Sequence, residues 1–200
     1  MTKENRKKET ALSLDKPVVF VVDMVNGFLH EGALSDKRIE TIVPAIEKLI
    51  RDKGYPAVFV CDSHTGDARE FAAYPPHCVQ DSHEAAVIDA LSPYARDVLP
   101  KNSTNTFMAP AFQQRLPELL ETYRDFVITG CCTDLCVLQF ALSLQSYLNE
   151  NDDRNHRVIV PANAVETFHL DGTHEAEAWN AMALANMAAN GIVVPERIED

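Results

Sequence analysis

Five short segments of the chain are rich in β-branched and aromatic residues, and several of them are apolar on both faces. Runs of this kind are typical of strands in a parallel sheet that helices cover on both sides. The segments are residues 17–22, 57–61, 125–129, 157–160 and 192–194. The pattern therefore predicts a mainly parallel sheet built from these strands.

Helical spacing of apolar residues occurs between the predicted strands. The strongest patterns cover residues 135–148 and 174–189, and the second is followed by Asn190 and Gly191, which favour the end of a helix. Apolar residues also keep helical spacing over residues 39–50. We therefore expect three well-defined helices.

Glycine and proline residues indicate where predicted helices begin and end. The pattern over 39–50 ends before Gly54, which suits a helix C-terminus, and its regular part is expected to begin near Pro44. Weaker helical patterns cover residues 85–91 and 116–123. Pro117 is expected in the first turn of the latter, where the missing N–H costs little.

Strand and helix alternate along the chain, which predicts an α/β protein with a three-layer α/β/α sandwich. The chain has 200 residues, 46% of them hydrophobic, so we expect one domain over residues 15–200 behind a flexible leader at residues 1–14. In such sheets the functional residues lie beyond the carboxyl ends of the strands. Asp23, Asp62 and the cysteines after Gly130 occupy such positions.

The charge and the apolar runs limit the possible partners. The net charge is −12, and an acidic surface repels phosphate, so we expect a small-molecule substrate and no nucleic acid. No stretch approaches the roughly eighteen apolar residues of a membrane span. The run at 17–22 is broken by Asp23 before it reaches the length of a signal peptide, so we expect a cytoplasmic protein.

Three of the five cysteines lie within residues 131–136. An odd number fits no disulfide framework, and free thiols fit a reducing compartment. The cluster lacks the paired C-x-x-C spacing of a structural zinc site. Core packing and catalysis are the two interpretations that remain.

The segment Gly-Cys-Cys-Thr-Asp-Leu-Cys-Val at residues 130–137 is typical of a strand end, a turn and a helix start. If Thr133 or Asp134 caps this helix, Cys136 lies in or near its first turn. There the helix dipole favours a thiolate, and free backbone amides can hold an oxyanion. The alternative is that Cys136 is a small buried apolar residue.

Two charged residues are further candidates for catalysis. Asp23 ends the apolar run Val-Val-Phe-Val-Val, where a carboxylate with a raised pKa suits a general base. The alternative is a turn-forming or helix-capping role beside Asn26 and Gly27. Lys101 lies in a polar segment with little helix or strand character, and it acts only if the fold brings it against Asp23 and Cys136.

Potential metal ligands follow the second predicted strand. Asp62 and His64 form an Asp-x-His pair, and His77 can return to close a mixed oxygen and nitrogen site. This donor set suits Zn²⁺, Mn²⁺ or Fe²⁺. Glu70 is a further ligand or a residue that orients one. The alternative is a loop that binds no metal.

Together these motifs resemble the isochorismatase-like cysteine hydrolases, and within them the nicotinamidase/pyrazinamidase branch. The match runs from the strand that ends at Asp23, through Gly-x-x-Thr-Asp-x-Cys-Val at 130–137, to Val-Pro-Ala-Asn-Ala-Val at 160–165. It covers most of the chain, and the order Asp, metal loop, Lys, Cys is specific to the family.

The resemblance implies a catalytic triad of Asp23, Lys101 and Cys136. It also implies a cis peptide bond before Cys132 and an oxyanion hole formed by the backbone N–H groups of Cys132 and Cys136. The implied reaction is amide hydrolysis, and the implied substrate is nicotinamide, which gives nicotinate and ammonia.

The same resemblance implies a bound ion, walls for a planar substrate, and assembly into a dimer or tetramer. Phe28 and Tyr74 occupy the positions of the aromatic walls. The implied ligands of a divalent metal ion, with zinc favoured, are Asp62, His64, His77 and, as a possible fourth, Glu70.

The chain departs from the family pattern at Val25 and Gly27, where many relatives have Gln and Asp. These positions bear on the substrate, so an amidase for another small amide or ureido compound is one alternative. Cys136 argues against ether-cleaving isochorismatase activity, because enzymes with that activity commonly lack the cysteine. A non-catalytic metal- or ligand-binding module on the same fold is a second alternative.

Overall fold

The computed structural model describes residues 12–198, so most of the predicted leader at residues 1–14 lies outside the described residues. Leu12 and Leu14, at the end of that segment, pack against the core. Within the described residues, no helix combines the length and the apolar character needed to cross a bilayer. All five cysteines are free and buried, as the sequence predicts.

A six-stranded parallel sheet forms the centre of the domain, which confirms the predicted fold class. The strand order is β3-β2-β1-β4-β5, and β6 pairs with β4 beyond the end of β5. The strands are β1 Pro17–Val22, β2 Ala57–Asp62, β3 Val98–Lys101, β4 Asp125–Cys131, β5 Arg157–Ile159 and β6 Val165–Glu166.

Helices cover both faces of this sheet and complete the three layers. The helices are α1 Asn26–Leu29, α2 Val43–Glu47, α3 Pro110–Thr122, α4 Leu138–Glu150 and α5 Ala176–Ala189. Helices α3, α4 and α5 pack on one face. Helix α2, with a 3₁₀ segment before it and a π-helical segment after it, packs on the other.

Strand β1 lies at the centre and sends alternate side chains into the two cores, because successive residues of a strand point to opposite faces. Phe20 packs within 6.0 Å, between ring centroids, of Phe112 on α3, Phe126 on β4 and Phe140 on α4. Its neighbour Val21 enters the opposite core. Each buried phenylalanine contributes about 1.5–3 kcal/mol of hydrophobic stabilisation.

One predicted helix is absent because its backbone groups pair with another segment, and one predicted strand is reduced to a bridge beside β5. Residues 85–91 form turns, and the carbonyl oxygens of Glu84 and Ala86 accept the N–H groups of Gly27 and Asn26 at 2.9 and 3.0 Å. Residues 192–194 form only a single parallel bridge between Val193 and Ile159.

Helix α3 and strand β3 differ from the prediction in extent. Helix α3 begins at Pro110, so Pro117 lies inside the helix and not in its first turn. Strand β3 was missed because it is short and exposes Val98 and Pro100 on one side. Only Leu99 and Lys101 are buried there, which is a weak strand signal in the sequence.

Candidate active site

Three neighbouring parallel strands place charged side chains at one edge of the sheet. Asp23 follows β1, Asp62 ends β2 and Lys101 ends β3. Asp62 and Lys101 are partners in the register of β2 and β3. The site therefore lies beyond the carboxyl ends of the strands, as the sequence predicts.

Lys101 joins the two carboxylates and the predicted nucleophile. Its Nζ lies 2.8 Å from Asp23 Oδ2, 2.5 Å from Asp62 Oδ1 and 3.8 Å from Cys136 Sγ. The N–H of Asp62 donates to Asp23 Oδ1 at 2.8 Å. The side chains of Asp23, Asp62 and Lys101 are at most 2% exposed, so these charges interact with little screening by water.

The two aspartates have different proton affinities. Burial raises the pKa of Asp23 to about 6, the charge of Asp62 adds to this rise, and Lys101 opposes it. Burial also acts to raise the pKa of Asp62, but the charge of Lys101 lowers it below its usual range. Asp23 is therefore the stronger base of the two and the better proton acceptor.

The chain between β4 and α4 presents Cys136. The peptide bond between Cys131 and Cys132 is cis, as the family resemblance implies. A π-helical turn at Thr133–Val137 follows, and Cys136 lies within it. Gly130 precedes the cysteines with φ +105°, and a Cβ there would lie 2.0 Å from the carbonyl oxygen of Val22.

Two details of this turn differ from the sequence prediction. Cys132 is the N-cap, and neither Thr133 nor Asp134 caps the helix. The Asp134 carboxylate instead contacts the hydroxyl of Thr167 and the ring of a histidine. Burial raises the pKa of the Cys136 thiol, although Lys101 acts to lower it. The thiol is therefore the favoured form, and a base has to remove its proton.

Three predicted metal ligands lie together beside Lys101. Single ligand atoms of Asp62, His64 and His77 lie within 4.8 Å of one another, and all three residues are buried. Asp62 Oδ2 lies 3.6 Å from His64 Nε2 and 3.8 Å from His77 Nε2. Asp62 thus turns one oxygen towards Lys101 and the other towards the two imidazoles.

The hydrogen bonds of both imidazoles suit metal binding. His64 Nδ1 lies 3.0 Å from Asn102 Oδ1, and His77 Nδ1 lies 2.8 Å from the carbonyl oxygen of Pro75. Both acceptors require the proton on Nδ1, which leaves the lone pair of each Nε2 directed at Asp62. His64 Nε2 is buried and has no hydrogen-bond partner among the described residues. A cation would satisfy it.

Glu70 does not join this cluster among the described residues. Its carboxylate oxygens accept hydrogen bonds from the N–H and the hydroxyl of Thr104 at 3.1 and 2.8 Å. Glu70 nevertheless lines the cavity next to the cluster. A role as fourth ligand stays a prediction.

An open cavity of about 340 Å³, which includes solvent at its mouth, lies over these groups. Phe28 and Tyr74 line it, as predicted for the aromatic walls, and their rings lie 5.6 and 6.2 Å from the His77 ring. The other lining residues are Leu34, Asp62, Glu70, His77, Thr104, Cys132, Leu135 and Cys136.

Sequence reasoning missed Asn102, Thr104 and Leu34. Asn102 and Thr104 belong to the polar segment after Lys101, and the missed strand β3 is what directs this segment to the site. Recognition of β3 would have placed both residues at the edge of the sheet. For Leu34 we find no signal in the sequence.

The chain is similar to several characterised proteins. It is 26% identical over 189 residues to nicotinamidase 1 of Arabidopsis thaliana, a match that covers 81% of this chain and 75% of that protein. The solved structure of N-carbamoylsarcosine amidase from Thermoplasma acidophilum has a TM-score of 0.71 and 28% identity, and the match covers 93% of this chain and 98% of the other.

The pyrazinamidase of Pyrococcus horikoshii in complex with zinc has a TM-score of 0.72 and 23% identity, over 90% of this chain and 98% of that one. This likeness concerns the fold.

The family model of the isochorismatase domain matches residues 17–194, which includes every strand of the sheet and all the site residues described above. The chain therefore belongs to the isochorismatase family of hydrolases.

Proposed function

We propose that the protein, an amide hydrolase of this family, is a metal-assisted cysteine amidohydrolase whose substrate is nicotinamide. The observation that carries the proposal is the convergence of a buried thiol, a basic carboxylate and an ammonium group at one cavity. Cys136 Sγ lies 3.8 Å from Lys101 Nζ, and Asp23, Asp62 and Cys136 have ligand atoms within 4.8 Å of one another.

The first half of the reaction forms a thioester. Asp23 takes the proton of the Cys136 thiol, and the sulfur attacks the amide carbonyl carbon. The backbone N–H groups of Cys132 and Cys136 stabilise the negative charge that develops on the carbonyl oxygen. When the C–N bond breaks, Asp23 returns the proton to the nitrogen, and ammonia leaves.

The second half releases the acid. Asp23 removes a proton from water, and the hydroxide attacks the thioester carbonyl carbon. The C–S bond then breaks, the carboxylic acid leaves, and Cys136 regains a proton. Lys101 holds Asp23 in place throughout and keeps a positive charge beside the reacting groups.

Asp62, His64 and His77 would hold the divalent metal ion. The donor set of one carboxylate and two imidazoles favours zinc, with manganese and iron as alternatives. When bound, such an ion supplies Lewis acidity and a fixed positive charge at the wall of the cavity. The buried, unpartnered His64 Nε2 supports this assignment.

Replacement of Asn102 by leucine is expected to weaken metal binding about 10- to 100-fold, because Asn102 orients His64 and fixes its tautomer. The measurement is a zinc titration against a competing chelator. Asn105→Leu is the matched control, since Asn105 lies in the same segment but its amide bonds to Ser143. Equal affinities of the Asn102 variant and the wild type would contradict the assignment.

The charge of the cavity favours a neutral substrate. Asp62 and Glu70 contribute carboxylates, and none of the described residues that line the cavity is a lysine or an arginine. Lys101 lies behind the cavity and is already paired with two carboxylates. A substrate with its own carboxylate would meet repulsion from Glu70 and, apart from the proposed metal ion, whose charge Asp62 partly neutralises, would find no cationic group among the described lining residues.

The experiment that tests the proposal compares two substrates of the zinc-loaded protein. We expect ammonia release from nicotinamide with a kcat/KM at least about 100-fold above that for N-carbamoylsarcosine, which carries a carboxylate. Glu70→Gln is expected to narrow this ratio, whereas Glu118→Gln, on the exposed side of α3, is not.

Other outcomes support the alternatives. Faster turnover of the carboxylate-bearing compound would point to a ureido amidase, the activity named for the Thermoplasma acidophilum relative. Zinc binding with no amide hydrolysis and an unreactive Cys136 would point to a non-catalytic binding module. Either result would overturn the proposed nicotinamidase activity.

A further inference from the structure

A second buried polar group lies behind the turn that carries Cys136. Asp134, two residues before Cys136, has a side chain that is 2% exposed and is not among the residues that line the cavity. Its Oδ1 accepts the hydroxyl of Thr167 at 2.5 Å, and its Oδ2 lies 2.9 Å from His174 Nε2. The proposed reaction uses none of these three residues.

His174 faces an acceptor with each ring nitrogen. Nε2 lies against the Asp134 carboxylate, and Nδ1 lies 2.9 Å from the carbonyl oxygen of Phe168. These two contacts link the Asp134 carboxylate to the backbone of the loop that carries His174.

The ring of His174 is also held on both faces. It stacks on Phe168 at 3.8 Å between centroids and 9° between planes, and on Trp179 at 4.6 Å and 12°. The position of the His174 ring is therefore fixed by two hydrogen bonds and two stacking contacts.

The loop that carries Thr167 and His174 is tied to the strand that leads to Cys136. Strand β6, directly before Thr167, pairs with Gly130 and Cys131 at the end of β4. Within the loop, Leu170 and His174 exchange two backbone hydrogen bonds of 2.9 and 2.8 Å. Asp134 thus attaches the turn of Cys136 to a loop that is itself paired with the end of β4.

We propose that Asp134, Thr167 and His174 form a positioning network that holds the turn of Cys136. The inference rests on the proposed function, because it takes Cys136 as the nucleophile. The network acts on the position of the sulfur relative to Asp23 and Lys101, which both interact with it. A displacement of the sulfur by about 1 Å can lower the reaction rate about a hundredfold.

The main test is His174→Phe, which keeps an aromatic ring between Phe168 and Trp179 but removes both ring nitrogens and their contacts. We expect kcat to fall about 10- to 100-fold with KM nearly unchanged, since the substrate contacts remain. The rate of Cys136 alkylation by iodoacetamide, read by peptide mass spectrometry, is expected to fall as well.

His156→Phe is the matched control. His156 is also buried, pairs with Asp153 at 2.6 Å and contacts the carbonyl oxygen of Leu120 at 2.8 Å, but it precedes β5 at the opposite end of the sheet. Its loss should lower the melting temperature and leave kcat unchanged. Equal losses of kcat in both variants would mean that His174 acts only on stability, and the proposal would be wrong.

Thr167 provides a second test if His174→Phe fails to fold. Thr167→Val removes the hydroxyl with little change of volume and should lower kcat, whereas Thr167→Ser keeps the hydroxyl and should restore it. Full activity of Thr167→Val would overturn the network.

Alkylation separates this proposal from the proposed function, because it needs no substrate. If no amide is hydrolysed by the wild type but Cys136 reacts more slowly in His174→Phe, the proposed function fails and the positioning network stands. If nicotinamide is hydrolysed and neither rate changes in His174→Phe, the network is wrong and the proposed function stands.

Discussion

Replacement of Cys136 by alanine is expected to lower the kcat for nicotinamide hydrolysis by about 10⁴-fold or more. No other side chain at the cavity can form the covalent intermediate from the same position, since Asp23 and Lys101 are positioned to serve the sulfur. Ammonia release from the zinc-loaded protein measures the effect. Zinc affinity should be unchanged, because Cys136 is not among the proposed metal ligands Asp62, His64 and His77.

Cys61→Ala is the control for the loss of a buried thiol. Cys61 lies in the core on β2 and does not line the cavity, so its replacement should leave kcat within a few-fold of the wild type. Iodoacetamide should label Cys136 of the wild type before Cys61 or Cys78, which are buried outside the cavity. Residual activity of Cys136→Ala near the wild-type level would rule out covalent catalysis by this residue.

Replacement of Lys101 by methionine is expected to abolish activity and to lower the free energy of unfolding by about 3–5 kcal/mol. The ammonium pairs with Asp23 and Asp62 where none of the three side chains is more than 2% exposed, so its removal leaves two buried carboxylates without a cation. Urea denaturation in the presence of a chelator measures the stability, because a bound metal would itself neutralise part of this charge.

Two further variants isolate the charge effect. Lys37→Met, at an exposed position, should change the free energy of unfolding by less than about 0.5 kcal/mol. The double variant Lys101→Met/Asp23→Asn should recover part of the lost stability, because one of the two carboxylates becomes neutral, but it should recover no activity. Full stability of Lys101→Met alone would show that the ion pairs contribute little to the fold.

The alternation of strand and helix was sufficient to predict the fold class and the edge of the sheet that carries the site. Buried parallel strands have a local signal, since both of their faces are apolar. Asp23 interrupts such a run, and Asp62 and His64 end another, so these polar residues stood out against an apolar background. Their approach to one another follows from the common direction of β1 and β2.

Lys101 shows where the local pattern was insufficient. Its strand β3 is short and has one exposed face, so its four residues resemble a loop in the sequence. Only the pairing of β3 with β2 places the lysine beside Asp62. The family resemblance had to supply the role that the pattern around Lys101 did not indicate.

The local sequence contains no feature that indicates the contacts of Asn102, His174 and Thr167. Each acts through a partner at least 33 residues away, at His64 for Asn102 and at Asp134 for the other two. The sequence by itself determined the layers, the strand ends and the chemical types of the catalytic candidates, because these depend on periodicity and residue type. The tertiary structure alone decided which side chains pair, because hydrogen bonds and ion pairs require contact within a few ångströms between segments that are distant along the chain.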